Sequence, residues 1–299
     1  MSIQGSLKRY YLIIEKVRTS HYPTFNKIKE YLFDKGFEES ERTIQRDFEK
    51  IRNEFGIELT YDSQQQGYFI DWDLSLNPDA FLRFLEIVNT ATLLIDSFKE
   101  SKETLNFISF EAHGQLQGIE NLKELLFAVK NYRKVLFTHE NFDSGTMKSY
   151  AIKPYLLKEY QNRWYIVGLV DGMTETRTFG IDRITNLKIE NKTFSKPEIN
   201  TQELFENTIG LTYSINELQE IILSFTTHQG KYIKSLPLHH SQVILVDNKD
   251  ELRISLRIIP NLEFRQKILM LGRTVKVIKP QWLIDEITKS LSATLKNYK

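Results

Sequence analysis

The chain has 299 residues, 41% hydrophobic and 26% charged, with 40 basic and 39 acidic side chains giving a formal net charge of +1. That size predicts roughly two to four folding units, the ordinary composition excludes disorder as the default, and the balanced charge excludes a global pull toward nucleic acid. With no cysteine, no charged-then-apolar leader pattern and no apolar run near the roughly eighteen residues needed to span a bilayer, we expect a cytoplasmic protein with no disulfide, thiolate chemistry or membrane partner.

A first helix is predicted from Leu7, Tyr11, Ile14 and Val17 at i, i+4, i+7 and i+10. A second starts after Pro23 with Thr24 as N-cap, carries Phe25, Ile28 and Leu32, and stops near Gly36. A third, over 40–55, has Ser40 as N-cap and places Ile44, Phe48, Ile51 and Phe55 at i, i+4, i+7 and i+11, which makes one buried face. Arg42, Arg46 and Asn53 then point outward, flanked by Glu49 and Lys50. Two strands, 57–61 and 67–71, follow around Asp62, Ser63 and three glutamines. Arginine forks and short amides near a helix N-terminus suit phosphates and base edges of a major groove. The candidate DNA-binding residues are Ser40, Arg42, Thr43, Gln45, Arg46, Lys50 and Asn53 on the helix, with Gln65 and Tyr68 on the hairpin. The competing reading is an amphipathic helix with a solvated charged face. The run SERTIQRDFEKIRNEFGIEL followed by QQQGYFI resembles the winged helix-turn-helix of DeoR-type bacterial regulators. The resemblance rests on Arg42-Thr43, Arg46-Asp47 and Gly67-Tyr68, and implies a double-stranded DNA operator as partner.

Asn77-Pro78 signals a turn and a helix start. A helix over 80–98 is predicted with a broad apolar face of Phe81, Phe84, Leu85, Val88 and Leu93, and another over 121–132 with Leu122, Leu125, Leu126 and Val129. The stretch 100–118, which contains His113, gives no clear pattern. These helices are either connectors or a dimer seam.

From Lys134 the period becomes strand-like. Runs at 135–139, 147–152, 163–170, 177–184 and 187–190 are separated by turn signals at Asp143-Ser144-Gly145, Gln161-Asn162 and Asp171-Gly172. Five short strands predict a small barrel. Alternation sets Arg163, Tyr165 and Val167 against Trp164, Ile166 and Gly168, and puts Arg177, Phe179, Ile181 and Arg183 on one face. The segment KPYLLKEYQNRWYIVGLVDGMTETRTFGIDRITNLKI resembles the WYL domain, with Trp164-Tyr165-Ile166 as its triplet and Asp182-Arg183-Ile184 as its second element. Lys153-Pro154-Tyr155 and Lys158-Glu159 also fit that pattern. Ile166 replaces leucine, and His139 stands where relatives often carry tyrosine. The resemblance implies an Sm-like barrel that senses an effector, with nucleic acid fragments or nucleotide-like ligands as the favoured class. Arg163, Arg177, Arg183, Lys148 and Lys153 would contact phosphate, while Tyr165 and His139 would stack or donate hydrogen bonds. Trp164 reads as core, and Arg183 has a competing role as partner of Asp182 or Glu175.

Beyond Thr208 the order is strand (221–225), helix (229–235), strand (242–246), strand (252–259), helix (262–271), strand (274–278) and a long final helix (281–298). This is the split βαβ order of a ferredoxin-like unit. It also resembles the extension that follows WYL domains, which implies help with dimerisation and with shaping the effector site. Lys231, Arg253, Arg257 and Arg273 are candidates for that shaping, with solvated charge as the competing reading. His239-His240 with Asp247 and Asp250 hint at a metal-dependent hydrolase, yet no HExxH, phosphate loop or nucleophile elbow is present, so we expect no enzyme, cofactor or metal.

The chain therefore reads as a multidomain α+β protein: a winged helix-turn-helix (1–72), a helical linker (73–132), a WYL effector-sensing domain (133–196) and a C-terminal extension (205–299). As a whole it reads as a homodimeric, effector-controlled transcription regulator. The alternative is an adaptor whose winged domain binds protein, which has little need for Arg42 and Arg46.

Overall fold

The computed structural model describes residues 3–100, 106–108, 117–142, 144–195, 205–212 and 217–299. His113, most of the unpatterned stretch around it, and Asp143 of the expected turn lie outside the described residues. The protein is mixed α+β and multidomain, and divides into two compact units, Met1–Ala112 and His113–Lys299.

In the first unit, α1 (Ile3–Thr19), α2 (Phe25–Asp34) and α3 (Glu41–Phe55) precede a hairpin of β1 (Glu58–Asp62) and β2 (Gly67–Asp71), and then α4 (Pro78–Glu100). Local chemistry sets the ends. Thr24 Oγ1 accepts from the Lys27 N–H to start α2, and Ser40 Oγ accepts from the Thr43 N–H to start α3. Gly56 closes α3 at φ 67°, where a Cβ would also lie 2.8 Å from Leu76 Cβ. Ile13, Ile14, Ile28, Leu32, Ile44, Ile51 and Leu59 form the centre of one core. On α1 the buried stripe includes Tyr10 and Ile13, which the predicted spacing passed over, and Leu7 and Tyr11 pack at its margin. On α4 the expected face is narrower: Phe81 and Leu85 are buried and Val88 is half-buried, while Phe84 and Leu93 are exposed.

The same unit buries an ion pair. Arg9, only 2% exposed, donates from Nη2 to Asp47 Oδ1 at 2.9 Å, from Nε to Asp47 Oδ2, and from Nη1 to Glu39 Oε1 at 2.9 Å. Asp47 lies three residues after Ile44 on the buried side of α3, so a carboxylate enters the core and needs this fork to neutralise it. The pairing fixes the roll of α3 against α1. It thereby fixes which α3 side chains face outward.

In the second unit, α5 (Leu122–Lys130) packs on β3 (Arg133–Asn141) and β4 (Thr146–Tyr160), burying Leu125 and Ala128. Assigned to a linker on sequence, α5 is thus part of this core. β5 (Arg163–Val170), β6 (Thr176–Gly180) and β7 (Ile184–Thr193) complete an antiparallel sheet of order β6-β5-β4-β3-β7. The expected strand over 147–152 extends to Tyr160. It pairs with β3 up to Ile152 and with β5 from there, and a register shift between Pro154 and Leu156 turns it from one ladder to the other. Gly168 sits opposite Pro154, where a Cβ would lie 2.5 Å from the Lys153 carbonyl. The strand expected over 177–184 breaks at a 3-10 turn, Ile181–Arg183, so Arg177 and Arg183 do not continue one alternating face. β6 and β7 are the two outer strands, joined by this turn rather than by a ladder among the described residues.

The rest of this unit comprises β8 (Gln219–Thr226), α6 (Thr227–Ser235), β9 (Val243–Asp247), β10 (Glu251–Ile258), α7 (Leu262–Leu271), β11 (Val275–Lys279) and α8 (Gln281–Lys296). The sheet order is β11-β8-β10-β9. Ile221, Leu223 and Phe225 alternate on β8, as do Leu252, Ile254, Leu256 and Ile258 on β10. Both rows are buried with Ile233, Phe264, Ile268 and Leu283 from the helices.

Candidate functional site

The outward face of α3 is built as the spacing predicts. Arg42, Gln45, Arg46 and Asn53 are exposed, and Thr43 and Lys50 are half-buried. Glu49 is also exposed, so the face is mixed rather than uniformly basic. Ser40 and Thr43 have local tasks: Ser40 caps the helix, and its hydroxyl lies 3.0 Å from that of Thr43. Arg52, which the sequence reading did not single out, ties α3 to the hairpin by donating from Nη2 to the Leu59 carbonyl at 3.0 Å.

The hairpin shows why a Gly-Tyr pair stands at its return. A Cβ on Gly67 would lie 2.0 Å from the Tyr22 carbonyl oxygen, and the Tyr68 N–H donates to the Pro23 carbonyl at 2.9 Å. The Tyr68 ring packs edge-on to Phe48 at 5.0 Å and to Tyr61 at 5.2 Å, and burial raises its hydroxyl pKa. Tyr68, taken on sequence as a DNA contact, therefore has its ring committed to holding the hairpin on α3. Gln65 stays exposed at the turn, where Asp62 Oδ1 accepts from the Gln64 and Gln65 N–H groups at 2.7 and 3.0 Å.

The seven candidate effector residues divide between the faces of the five-stranded sheet. Paired residues in an antiparallel ladder share a face, and neighbours along a strand alternate. His139 pairs with Lys148 on the face of Phe137, Tyr150 and Phe179, and Arg177, opposite Gly168, continues that face outward. Arg163, Tyr165 and Lys153 lie on the other face. The Ile181–Arg183 turn joins the two sets: Asp182 Oδ2 is 3.6 Å from Arg163 Nη1, and Asp182 Oδ1 is 3.6 Å from Arg183 Nε. His139, Lys148, Arg163, Tyr165 and Arg183 thus gather at one end of the sheet. Lys153, five residues along β4 from Lys148 and on the opposite face, lies about 17 Å away along the strand, and Arg177 is likewise displaced toward Gly168.

This cluster holds incompletely satisfied polar atoms. His139 is 8% exposed, walled by Phe179 at 5.2 Å and by Tyr150 and Phe137 at 6.4 Å, and its Nε2 has no hydrogen-bond partner among the described residues. Burial, then the nearby Arg183 guanidinium, push its pKa below the ordinary histidine value, with Asp182 acting against them. Arg183 Nε is also buried without a hydrogen bond, while its guanidinium stacks 4.5 Å from the Phe142 ring centre. Two guanidinium groups share one carboxylate at 3.6 Å, which leaves donors and positive charge for an anion. The sequence reading missed Phe142, Tyr150 and Phe179 as walls. For Tyr150 and Phe179 the available signal was an aromatic within a predicted strand, on β4 and β6. Trp164 packs against the core, as expected.

The segment 205–212 fastens the two sheets' neighbourhoods. Asn261 Nδ2 donates to the Ile209 and Thr212 carbonyls at 2.7 Å each, and His239 Nε2 lies 2.7 Å from the Glu206 carbonyl. Lys158 of β4 sits over the Phe205 ring at 4.4 Å, and burial lowers its pKa. His239, weighed on sequence for a metal site, thus has both ring nitrogens engaged, the second with Ser241 Oγ at 2.8 Å.

A family model described as the WYL domain matches residues 120–189, and one described as the WCX domain matches residues 217–295. Among solved structures, Proteasome accessory factor B/C (PafBC) of Arthrobacter aurescens is similar at 17% identity and a TM-score of 0.32, over 97% of this chain and 47% of that one. A CRISPR Cas-related protein is similar at 13% identity and a TM-score of 0.42, over 99% of this chain and 85% of that one. The chain thus spans about half the length of PafBC (47%). No curated protein matches it. The two domain models fall on the segments just described, a WYL domain over residues 120–189 followed by a WCX domain over residues 217–295.

Proposed function

We propose that this protein is a homodimeric transcription regulator that reads a DNA operator with α3 and changes its operator affinity when an anionic effector, a nucleic acid fragment or nucleotide-like molecule, binds the WYL domain. The observation that carries this reading is the outward face of α3. Arg42, Gln45, Arg46 and Asn53 are exposed together, on a helix whose roll is held from behind by Arg9 and Asp47. Three helices followed by a hairpin support a winged helix-turn-helix of DeoR type. Five antiparallel strands with a bent β4 support an Sm-like barrel, and the order β11-β8-β10-β9 supports a ferredoxin-like unit. PafBC bears the name of a proteasome accessory factor, and WYL domains in regulators are the basis for expecting an effector. Exposed Phe84 and Ile87 on α4 favour self-association, which two-fold operators reward.

The effector acts through the Arg163, Asp182, Arg183 and His139 cluster. A tenfold change in operator affinity requires about 1.4 kcal/mol of differential effector binding to the two states, within reach of a few phosphate contacts made in one state only. The deciding experiment is sequencing of genomic fragments retained by the pure protein, with and without short oligonucleotides. An enriched motif that is lost in Arg42→Ala/Arg46→Ala supports the assignment. Equal retention of all sequences, or retention unchanged in that variant, removes DNA reading from α3 and leaves protein binding as the role of this face.

A further inference from the structure

The WCX domain contains a second basic site on elements separate from the His139 cluster. Thr227, Lys231 and Lys234 recur at i, i+4 and i+7, so they share one face of α6. That face meets the β9–β10 turn at Asp247 and Lys249, and the two enclose a cavity of about 250 Å³ floored by Leu252. A Cβ on Gly230 would lie 2.7 Å from Leu252 Cβ, so α6 lies close on β10 and the walls stand near each other.

The charges inside do not cancel. Lys234 Nζ is 2.8 Å from Asp247 Oδ2, which neutralises that pair and ties the turn to the helix. Lys231 and Lys249 have no acidic partner among the described residues. Asn248 Oδ1 accepts from the Asp250 and Glu251 N–H groups at 2.8 and 2.9 Å, so its amide NH₂ is the end left for a ligand. Thr227 adds a hydroxyl and a first-turn N–H that the helix itself does not use. Ammonium, amide and N–H donors around a small space, with two uncompensated positive charges, match a tetrahedral oxyanion. The volume is below that of pockets that enclose whole drug-sized ligands.

We propose that this cleft binds one phosphate group, presented either by a nucleic acid backbone or by a small phosphorylated molecule. The test is amide NMR of the full chain titrated with inorganic phosphate, with an unphosphorylated single-stranded oligonucleotide, and with chloride at matched ionic strength. Saturable shifts of the Thr227, Gly230 and Lys249 amides with a phosphate-bearing probe, and none with chloride, are expected. Lys231→Ala/Lys249→Ala weakens that binding by about tenfold, and Asp247→Asn, which frees Lys234, strengthens it. Tighter binding of the oligonucleotide assigns the phosphate to a nucleic acid strand, and tighter binding of inorganic phosphate to a free ester. Shifts that fail to saturate, appear equally with chloride, or saturate at the same phosphate concentration in the double variant overturn the proposal. All three residues are exposed, so the variants fold, and unchanged amides elsewhere verify it.

Discussion

Arginine meets aspartate in both units, with opposite outcomes. Arg9 and Asp47 form a closed fork in the core of the first unit, supplemented by Glu39, and both partners are nearly inaccessible to water. Arg163 and Arg183 share Asp182 at 3.6 Å in the WYL domain, and Arg183 Nε is left without a hydrogen bond among the described residues. The first arrangement is closed off from solvent and serves architecture. The second keeps charge and donors in reserve, as a binding site must. An arginine's role is therefore set by how completely its partners satisfy it, not by the presence of a partner.

Breaking the closed fork should have the largest effect. Asp47→Ala removes both arms of the buried fork and leaves Glu39 as the remaining carboxylate on Arg9, and should cost the first unit about 3–5 kcal/mol, read as a lower urea midpoint. A loss below about 1 kcal/mol would place the pair with ordinary surface ion pairs. Next in size, Arg42→Ala and Arg46→Ala should each weaken operator binding by about 1–3 kcal/mol while leaving the urea midpoint unchanged, which separates the face that reads from the fork that holds it.

Acidification should sharpen the contrast in the WYL domain. The folded pKa of His139 is depressed, so the folded state binds fewer protons than the unfolded state as pH falls below the ordinary histidine range. Its contribution to stability is complete above about pH 6.5 and is lost as pH drops toward the folded value, with a slope of at most about 1.4 kcal/mol per pH unit. Replacing it by phenylalanine should flatten that slope in a pH series of unfolding curves. His239, also depressed by burial, leaves a residual slope. An unchanged profile in the variant would mean that His139 titrates as it does in the unfolded chain. The smallest effect is expected for Asp182→Asn: under about 1 kcal/mol in stability, with tighter oligonucleotide binding because two guanidinium groups lose their shared counter-charge. Weaker binding would instead make Asp182 an organiser of the site.

Much of the architecture was legible because periodicity reports burial. The stripe of Ile44, Phe48 and Ile51, the alternation along β10 and the caps at Thr24, Ser40 and Gly56 are local properties of the chain. The effector residues were legible only as types. Alternation along single strands cannot register the shift at Pro154, the break at Ile181–Arg183 or the extension of β4 to Tyr160, and each of these decides which side chains meet. α5 looked like a linker because its apolar face does not name the sheet that covers it.

The sequence by itself determined the helices, the order of the elements and the two faces of α3, since propensity, capping and hydrophobic spacing act over a few residues. Only the tertiary structure decided that Arg9 neutralises Asp47, that Tyr68 anchors the hairpin, and that Lys153 lies apart from Arg183. Those outcomes depend on pairings between residues up to 38 positions apart, as in Arg9–Asp47, and on ladder registers that local patterns do not encode.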